Sequence, residues 1–158
     1  MRRHDKDIRD RELIDRIMAK AQVCRLGLCK DNRAYVVPVS FGYDGSFIYF
    51  HTAREGMKIN YIASNRTVCF ESDYDVKVIE NETLACRWTQ SFYSVIGFGT
   101  IEEITEAVQK IYALNQIMKH YSGREWAFDE RLLEETRLWR ISIEQITGKK
   151  SHDKTAIG

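Results

Sequence analysis

The chain has 158 residues, which is enough for one domain with its own hydrophobic core. Apolar residues make up 44% and charged residues 30%, a balance typical of globular proteins and not of disordered ones. The formal net charge of +1 gives no support for a nucleic-acid or an anionic-membrane partner. No apolar stretch is long enough to span a membrane, and the N-terminal sequence lacks the apolar core of a signal peptide. We therefore expect a cytoplasmic protein with no membrane and no nucleic-acid partner.

The four cysteines do not form a metal-binding pattern. Cys24, Cys29, Cys69 and Cys86 contain no CxxC pair and no histidine spacing that suggests zinc. The first three lie in apolar, strand-like runs, so we interpret them as small buried hydrophobes in the reduced state. We expect no metal site.

The first third of the chain predicts one helix followed by two strands. Apolar residues recur at helical spacing from Asp10 to Ala21, with charged residues between them. A short strand, Cys24 to Cys29, turns at Asp31-Asn32 into a second strand that begins near Ala34. That strand ends in Ser40 and Gly42, which carry little side-chain bulk, so a flat ligand could lie against its backbone.

Pro38 is the only proline, and it favours an edge or interrupted position because it cannot donate to a strand ladder. It either leaves backbone groups for a ligand or simply blocks edge pairing. Asp44-Gly45 predicts a hairpin between this strand and the next, Phe47 to Phe50. A two-residue turn there and a turn with Gly45 as a bulge differ by one position. Both stay open, and with them the question of whether His51 shares the face of Ser40.

After the hairpin, a glycine-bearing loop from His51 to Gly56 leads into a helix that starts at Met57. A helix N-terminus presents unpaired N–H groups and the positive end of a dipole. Lys58 in the first turn would therefore complete a phosphate-binding cradle. The alternative is an ordinary surface hairpin with a connecting helix and a solvated lysine.

The rest of the chain predicts more strands and two late helices, in a single domain over residues 1–150 with a mobile polar tail over residues 151–158. Short turns between consecutive strands favour an antiparallel sheet or barrel, mainly β with flanking helices, and six or seven strands. The predicted elements in order are a strand from Arg66 to Asp73, a polar loop with a short strand to Glu82, a strand from Ser94 to Ile101 with Gly97 and Gly99 at a bulge or close approach, helices from Glu106 to Tyr121 and Asp129 to Glu135, and a strand from Leu138 to Ile146.

Three segments, VPVSFGYDG, YFHTAREGMK and SVIGFGTIEEI, together with the closing ITGK, resemble the flavin-binding split-barrel family related to pyridoxamine 5'-phosphate oxidase. Within that family the chain is most similar to the nitroimidazole-resistance branch. The resemblance implies an antiparallel split barrel of about six strands. It also implies a homodimer that binds FMN at the subunit interface, with FAD possible if the phosphate site is loose.

The resemblance also assigns site residues by position. Backbone groups of one strand would line the flavin ring, the loop and helix start would hold the phosphate and ribityl chain, and a segment of the partner subunit would close the site. Met57 stands where relatives commonly carry a second basic residue, so Lys58 would act alone or with Arg54 or Arg87. The three groups are Val37, Pro38, Val39 and Ser40; Thr52, Ala53, Gly56, Met57 and Lys58; and Trp88, Ser91, Tyr93, Ser94 and Val95.

His51 is the one predicted catalytic residue. The resemblance places it beside the flavin, where an imidazole that titrates near neutrality could deliver a proton to an acceptor that is being reduced. The alternative is a structural histidine that caps the end of its strand.

The resulting hypothesis is a flavin-dependent oxidoreductase that reduces a small acceptor such as a nitroimidazole. Pyridoxamine 5'-phosphate oxidase-like activity is an alternative, as is a non-catalytic carrier of flavin or of haem, with His51 as an axial ligand. A structural dimer module with a vestigial site is the last alternative.

Overall fold

The computed structural model describes residues 6–151 and 154, without the side chains of residues 130 and 132. Eight strands form one antiparallel sheet in the order β3-β2-β6-β7-β8-β5-β4, and β1 pairs with β8. The elements are β1 (Asp7–Ile8), α1 (Arg11–Lys20), β2 (Cys24–Lys30), β3 (Arg33–Val39), β4 (Gly42–Tyr43), β5 (Phe47–Thr52), α2 (Met57–Ser64), β6 (Thr67–Ile79), β7 (Thr89–Ile104), α3 (Ala107–Ser122), α4 (Glu130–Glu135) and β8 (Arg137–Lys150), with a 3-10 turn at Ala85–Arg87.

The mainly β, antiparallel split barrel with flanking helices is confirmed, with eight strands where about six were predicted. The two extra strands, β1 and β4, are two residues long. Strands this short show no alternation in sequence. The predicted turn between β2 and β3 is also confirmed, because Asp31 and Asn32 both have positive φ, 50° and 60°, as a type I′ turn requires.

The predicted hairpin between the second strand and Phe47 to Phe50 is wrong. β3 pairs only with β2, whereas β5 pairs with β8 and with the short β4. The turn is centred on Gly45-Ser46, since the N–H of Asp44 donates to the Phe47 carbonyl at 3.3 Å. Gly45 has φ +94° at the first central position, where type II′ turns place glycine. Neither of the two registers considered from sequence occurs.

Gly42 is not open to a flat ligand, contrary to expectation. A Cβ at Gly42 would lie 2.4 Å from the backbone carbon of Gln116, so α3 packs directly on this glycine. The close approaches predicted at Gly97 and Gly99 are confirmed. A Cβ there would lie 2.2 Å from the Phe70 ring and from the Ser142 carbonyl oxygen, respectively.

The core has two layers, and β5 runs between them. Inside the barrel, Phe50 packs with Phe70, Val95 and the apolar face of α1. Outside it, Tyr49 packs beneath α3. Because both faces of β5 are buried, its sequence is a continuous apolar run without alternation.

β6 and β7 extend beyond the barrel as a two-stranded ribbon, which we call the arm, residues 76–91. Pairing shifts between Tyr74 and Lys77, so the arm starts at a β-bulge. The last residue of β7 that pairs with β8 is Tyr93, opposite Lys150. Five apolar side chains of the arm are exposed: Val76, Val78, Ile79, Leu84 and Trp88.

The last strand runs on to Lys150, four residues beyond the predicted end at Ile146. Ser151 follows it and is buried. The rest of the predicted mobile tail, residues 152, 153 and 155–158, lies outside the described residues. Among the described helices, none is long and apolar enough to cross a membrane. Within the same residues, no group of three or more metal-binding side chains clusters.

Candidate functional site

The candidate site is built around the start of α2. Gly56 is its N-cap residue, with φ +135°, and no side chain caps the helix. The first intrahelical bond runs from the Asn60 N–H to the Gly56 carbonyl at 3.2 Å, so the N–H groups of Met57 to Ile59 have no intrahelical acceptor. Apart from the neighbours of Gly56 in the chain, no described residue has an atom within 4 Å of where a Cβ of Gly56 would be. The helix start therefore presents donors and the positive end of its dipole to open space.

Lys58 lies in the first turn of α2 and is half-buried. Burial lowers the pKa of its ammonium group. Its side chain has no salt-bridge partner within the described part of the chain. A partly buried, unpaired cation beside free N–H groups is suited to bind an anion such as a phosphate.

His51 lies close enough to Lys58 to be influenced by its charge. Burial, and in smaller part the charge of Lys58, lower the pKa of the imidazole. The side chain is only partly exposed, opposite Leu138 of β8, and it makes no hydrogen bond to any described residue. Its ring is thus neutral near pH 7 and available to a ligand. Because β3 and β5 do not pair, the question of a shared ladder face with Ser40 does not arise.

Thr52 supports the loop, and its hydroxyl does not face outward. The hydroxyl donates to the Ala53 carbonyl at 2.8 Å and accepts from the Trp139 indole N–H at 3.0 Å. The residue is buried at 8% exposure. The hydroxyl proton of Thr52 is therefore already used within the loop, and the predicted contact of this residue with the phosphate or ribityl chain stays a prediction. Ala53 and Gly56 remain at the surface beside it.

We expect Thr52→Val to lower the free energy of unfolding by about 1–3 kcal/mol, because it leaves the buried Trp139 N–H without an acceptor. Thr100→Val is the matched control, since the Thr100 hydroxyl donates to the exposed Glu144. It should change stability by no more than about 0.5 kcal/mol. Urea unfolding measures both. Equal stability of the two variants would contradict the role given to Thr52.

The loop is also fixed from the side of β8 by residues that the sequence did not indicate. Arg137 donates to the Arg54 carbonyl at 3.4 Å, stacks 4.7 Å from the Trp139 ring, and forms a two-pronged ion pair with Glu103 at 2.8 and 2.6 Å. Arg54 donates to the Glu134 carbonyl at 2.7 Å. Arg54 therefore connects the loop to α4. No signal in the sequence pointed to the bond between Thr52 and Trp139.

β3 lies at the edge of the sheet, so the predicted edge position of Pro38 is confirmed. Pro38 and Ser40 are exposed, Val37 is half-buried and Val39 is buried. The edge of β3 that faces away from β2 has backbone groups without a neighbouring strand. A flat ligand can thus meet the backbone of β3 along this edge, beside Pro38 and Ser40 and away from Gly42.

The segment assigned to a partner's site presents only some of its residues outward. Ser91, Tyr93 and Val95 are at most 2% exposed and face the interior of their own protomer. Trp88 is 51% exposed, with its indole N–H donating to the Asn81 carbonyl at 2.8 Å. Ser94 is half-buried on the outward face. Side-chain contacts to a ligand outside the protomer are therefore available to Trp88 and Ser94, and not to the other three.

This antiparallel split barrel, with an uncapped helix start beside an open sheet edge, defines the class of the protein. The chain matches the family model of pyridoxamine 5'-phosphate oxidase over residues 10–150 and therefore belongs to that family. The resemblance read from the sequence motifs is confirmed.

Solved structures share the fold. A candidate 5-nitroimidazole antibiotic resistance protein from Bacteroides thetaiotaomicron is 28% identical, with 90% of this chain and 85% of that chain covered and a TM-score of 0.80. A flavocytochrome from Azotobacter vinelandii is 20% identical, with coverages of 100% and 75% and a TM-score of 0.79. An FAD-binding protein from Mesorhizobium loti is 23% identical, with coverages of 92% and 97% and a TM-score of 0.67. Comparison with curated proteins gives no match.

Proposed function

We propose that the protein is a homodimeric oxidoreductase that binds FMN and passes electrons to a small acceptor such as a nitroimidazole. The observation that carries this proposal is Lys58, a partly buried cation without an ion-pair partner among the described residues, at the open N-terminus of α2. The similarity to the candidate nitroimidazole resistance protein, at 28% identity, supports the choice of acceptor.

The residues around α2 fit the phosphate of a flavin. Lys58 would supply the charge, the N–H groups of Met57 and Lys58 would donate hydrogen bonds, and Gly56 leaves space for close approach. The backbone edge at Pro38 and Ser40 would accept and donate hydrogen bonds to the ring. Bound flavin would supply reversible electron transfer, which no side chain here provides. FAD, whose phosphates have the same chemistry, is the alternative cofactor.

A second protomer would complete the site. The outer face of the sheet, which we define as Val36, Cys69, Ile96 and Phe98, brings together partly or largely exposed apolar side chains. They lie on the three strands β3, β6 and β7, with β2 between β3 and β6. Strands β6 and β7, which carry part of this outer face, run on into the arm, where apolar side chains are also exposed. An apolar surface of this kind on a small protein is typical of a dimer interface. Trp88 and Ser94 would then reach the flavin of the partner.

We expect light scattering at micromolar concentration to give twice the chain mass of 18.5 kDa. Phe98→Glu should produce a folded monomer, because it places a charge within the outer face. Val108→Glu is the matched control: Val108 is 80% exposed on α3, so this variant should remain dimeric. A monomeric wild-type protein with flavin bound would contradict the proposed dimer.

A haem carrier is the second candidate, because His51 is neutral near pH 7 and partly exposed, and an axial ligand must be a neutral imidazole. The absorption spectrum of freshly purified protein separates the candidates. Flavin bands, with FMN released on denaturation, support the proposal. Release of FAD would mean that the cofactor is FAD and not FMN, and the proposed reaction would stand. A Soret band would favour the haem carrier, and a colourless protein that binds no added flavin would overturn both.

A further inference from the structure

The arm starts at an irregular base. Asp75 and Val76 of β6 lie opposite the single residue Phe92, because the register shifts between Tyr74 and Lys77. Asp75 has φ +52°, in the left-handed region, which Asp tolerates better than most residues other than glycine. Beyond this bulge β6 and β7 pair only with each other, and an isolated two-stranded ribbon is marginally stable. The direction of the arm therefore depends on what holds its base.

Ser151, directly after β8, holds that base from the opposite side. The Ser151 N–H donates to the Phe92 carbonyl, and the Ser151 hydroxyl accepts from the Phe92 N–H, both at 3.0 Å. Ser151 is 4% exposed. These two bonds add one rung to the β7–β8 ladder, at the residue that faces the bulge. We call Ser151 and Lys154 together the clasp.

Lys154 joins the clasp to β6. Its ammonium group donates to the carboxylate of Asp75 and lies 5.5 Å from the centre of the Tyr93 ring, so its side chain crosses β7. The Lys154 side chain is 10% exposed, whereas Lys77, which pairs with the same carboxylate at 2.8 Å, is 67% exposed. The ion pair of Lys154 with Asp75 is less exposed than the ion pair of Lys77 with Asp75. It therefore holds its two side chains in place more firmly. Lys154, which lies beyond the end of β8, thus contacts the bulge of β6 at Asp75.

We propose that the clasp sets the angle of the arm, and that Lys154 and Asp75 are positioning residues for the flavin site of the partner protomer. The inference rests on the proposed function, because the arm carries Trp88 toward that site. Neither residue touches the flavin in this scheme. They act by holding the rung at Phe92 while the exposed apolar side chains of the arm contact the second protomer.

The test uses the full-length chain and two readouts. Hydrogen exchange of the flavin-free protein follows the amides of residues 77–79 and 89–91, and a fluorescence titration measures the affinity for FMN. Lys154→Met and Asp75→Asn should each speed exchange in the arm by about 5–10-fold and weaken FMN binding by about 5-fold. The double variant should match Asp75→Asn, because Lys154 has already lost its ion-pair partner in that variant. Barrel amides should exchange as in the wild type, which shows that the variants fold.

Lys119→Ala is the matched control, since Lys119 of α3 forms an exposed ion pair with Glu125, which follows the helix. It should change neither readout. Unchanged exchange in the arm of both clasp variants, or an unchanged FMN affinity with a loosened arm, would overturn the inference. If the proposed function is wrong, the wild-type protein itself binds no FMN. Hydrogen exchange in the arm then still shows whether the clasp holds the arm.

Discussion

Lys58→Ala should weaken FMN binding by about one to two orders of magnitude. A hydrogen bond between charged groups contributes roughly 1.5–3 kcal/mol, and no second basic residue stands at Met57 to compensate for its loss. The flavin titration at low ionic strength should show the largest effect, because added salt screens the same attraction. Turnover with saturating FMN should fall much less than affinity.

Lys30→Ala is the control for this variant, because Lys30 is also half-buried but lies at the β2–β3 turn. It should bind FMN as the wild type does. Nuclear magnetic resonance of the flavin-free protein offers an independent check. The charge of Lys58 lowers the pKa of His51, so Lys58→Ala should raise the His51 pKa and Lys30→Ala should not. Equal FMN affinity of the two variants would place the phosphate elsewhere.

The sequence predicted those parts of the fold that depend on neighbouring residues. The helical spacing of α1, the asparagine turn between β2 and β3, and the glycines at close approaches are all local signals. The partner of β5 is not local: it is β8, whose residue Leu138 pairs with His51 across most of the chain. The hairpin signal at Asp44-Gly45 was real, but it belongs to the two-residue β4, which no periodicity marks.

The candidate site was predictable to a similar extent. The glycine-bearing loop and Lys58 follow from the sequence, because a helix start creates the same donors wherever it occurs. The segment from Ser91 to Val95 was assigned as one block, whereas a strand presents only every second residue to one side. The structure divides it accordingly, with Ser94 outward and its neighbours inward. The Trp139 bond to Thr52 joins residues 87 positions apart, which no local pattern encodes.

His51→Ala should keep FMN binding and the dimer but slow reduction of a nitroaromatic acceptor by about 10²–10⁴-fold, the usual contribution of a positioned proton donor. His51→Asn should be equally slow, because an amide can donate a hydrogen bond but cannot transfer the proton. A histidine that only caps its strand would behave differently. It would change stability and leave the rate nearly unaltered, yet the exposed ring makes no hydrogen bond to a described residue, so we expect little change in stability.

The measurement is stopped-flow reoxidation of the reduced protein by the acceptor across a range of pH. Burial, the larger cause, keeps the pKa of His51 below its ordinary value of 6.5, and the protonated imidazole is the donor. The wild-type rate should therefore be highest in acid and decline as the pH rises through a midpoint below 6.5. The rate of His51→Ala should be low and independent of pH over the same range.

His120→Ala is the matched control, because burial lowers the pKa of that histidine too, but its ring bonds to the Ala21 carbonyl beneath α3. Identical rates and pH profiles for wild type and His51→Ala would make His51 a structural residue, since proton delivery by the imidazole requires both to differ.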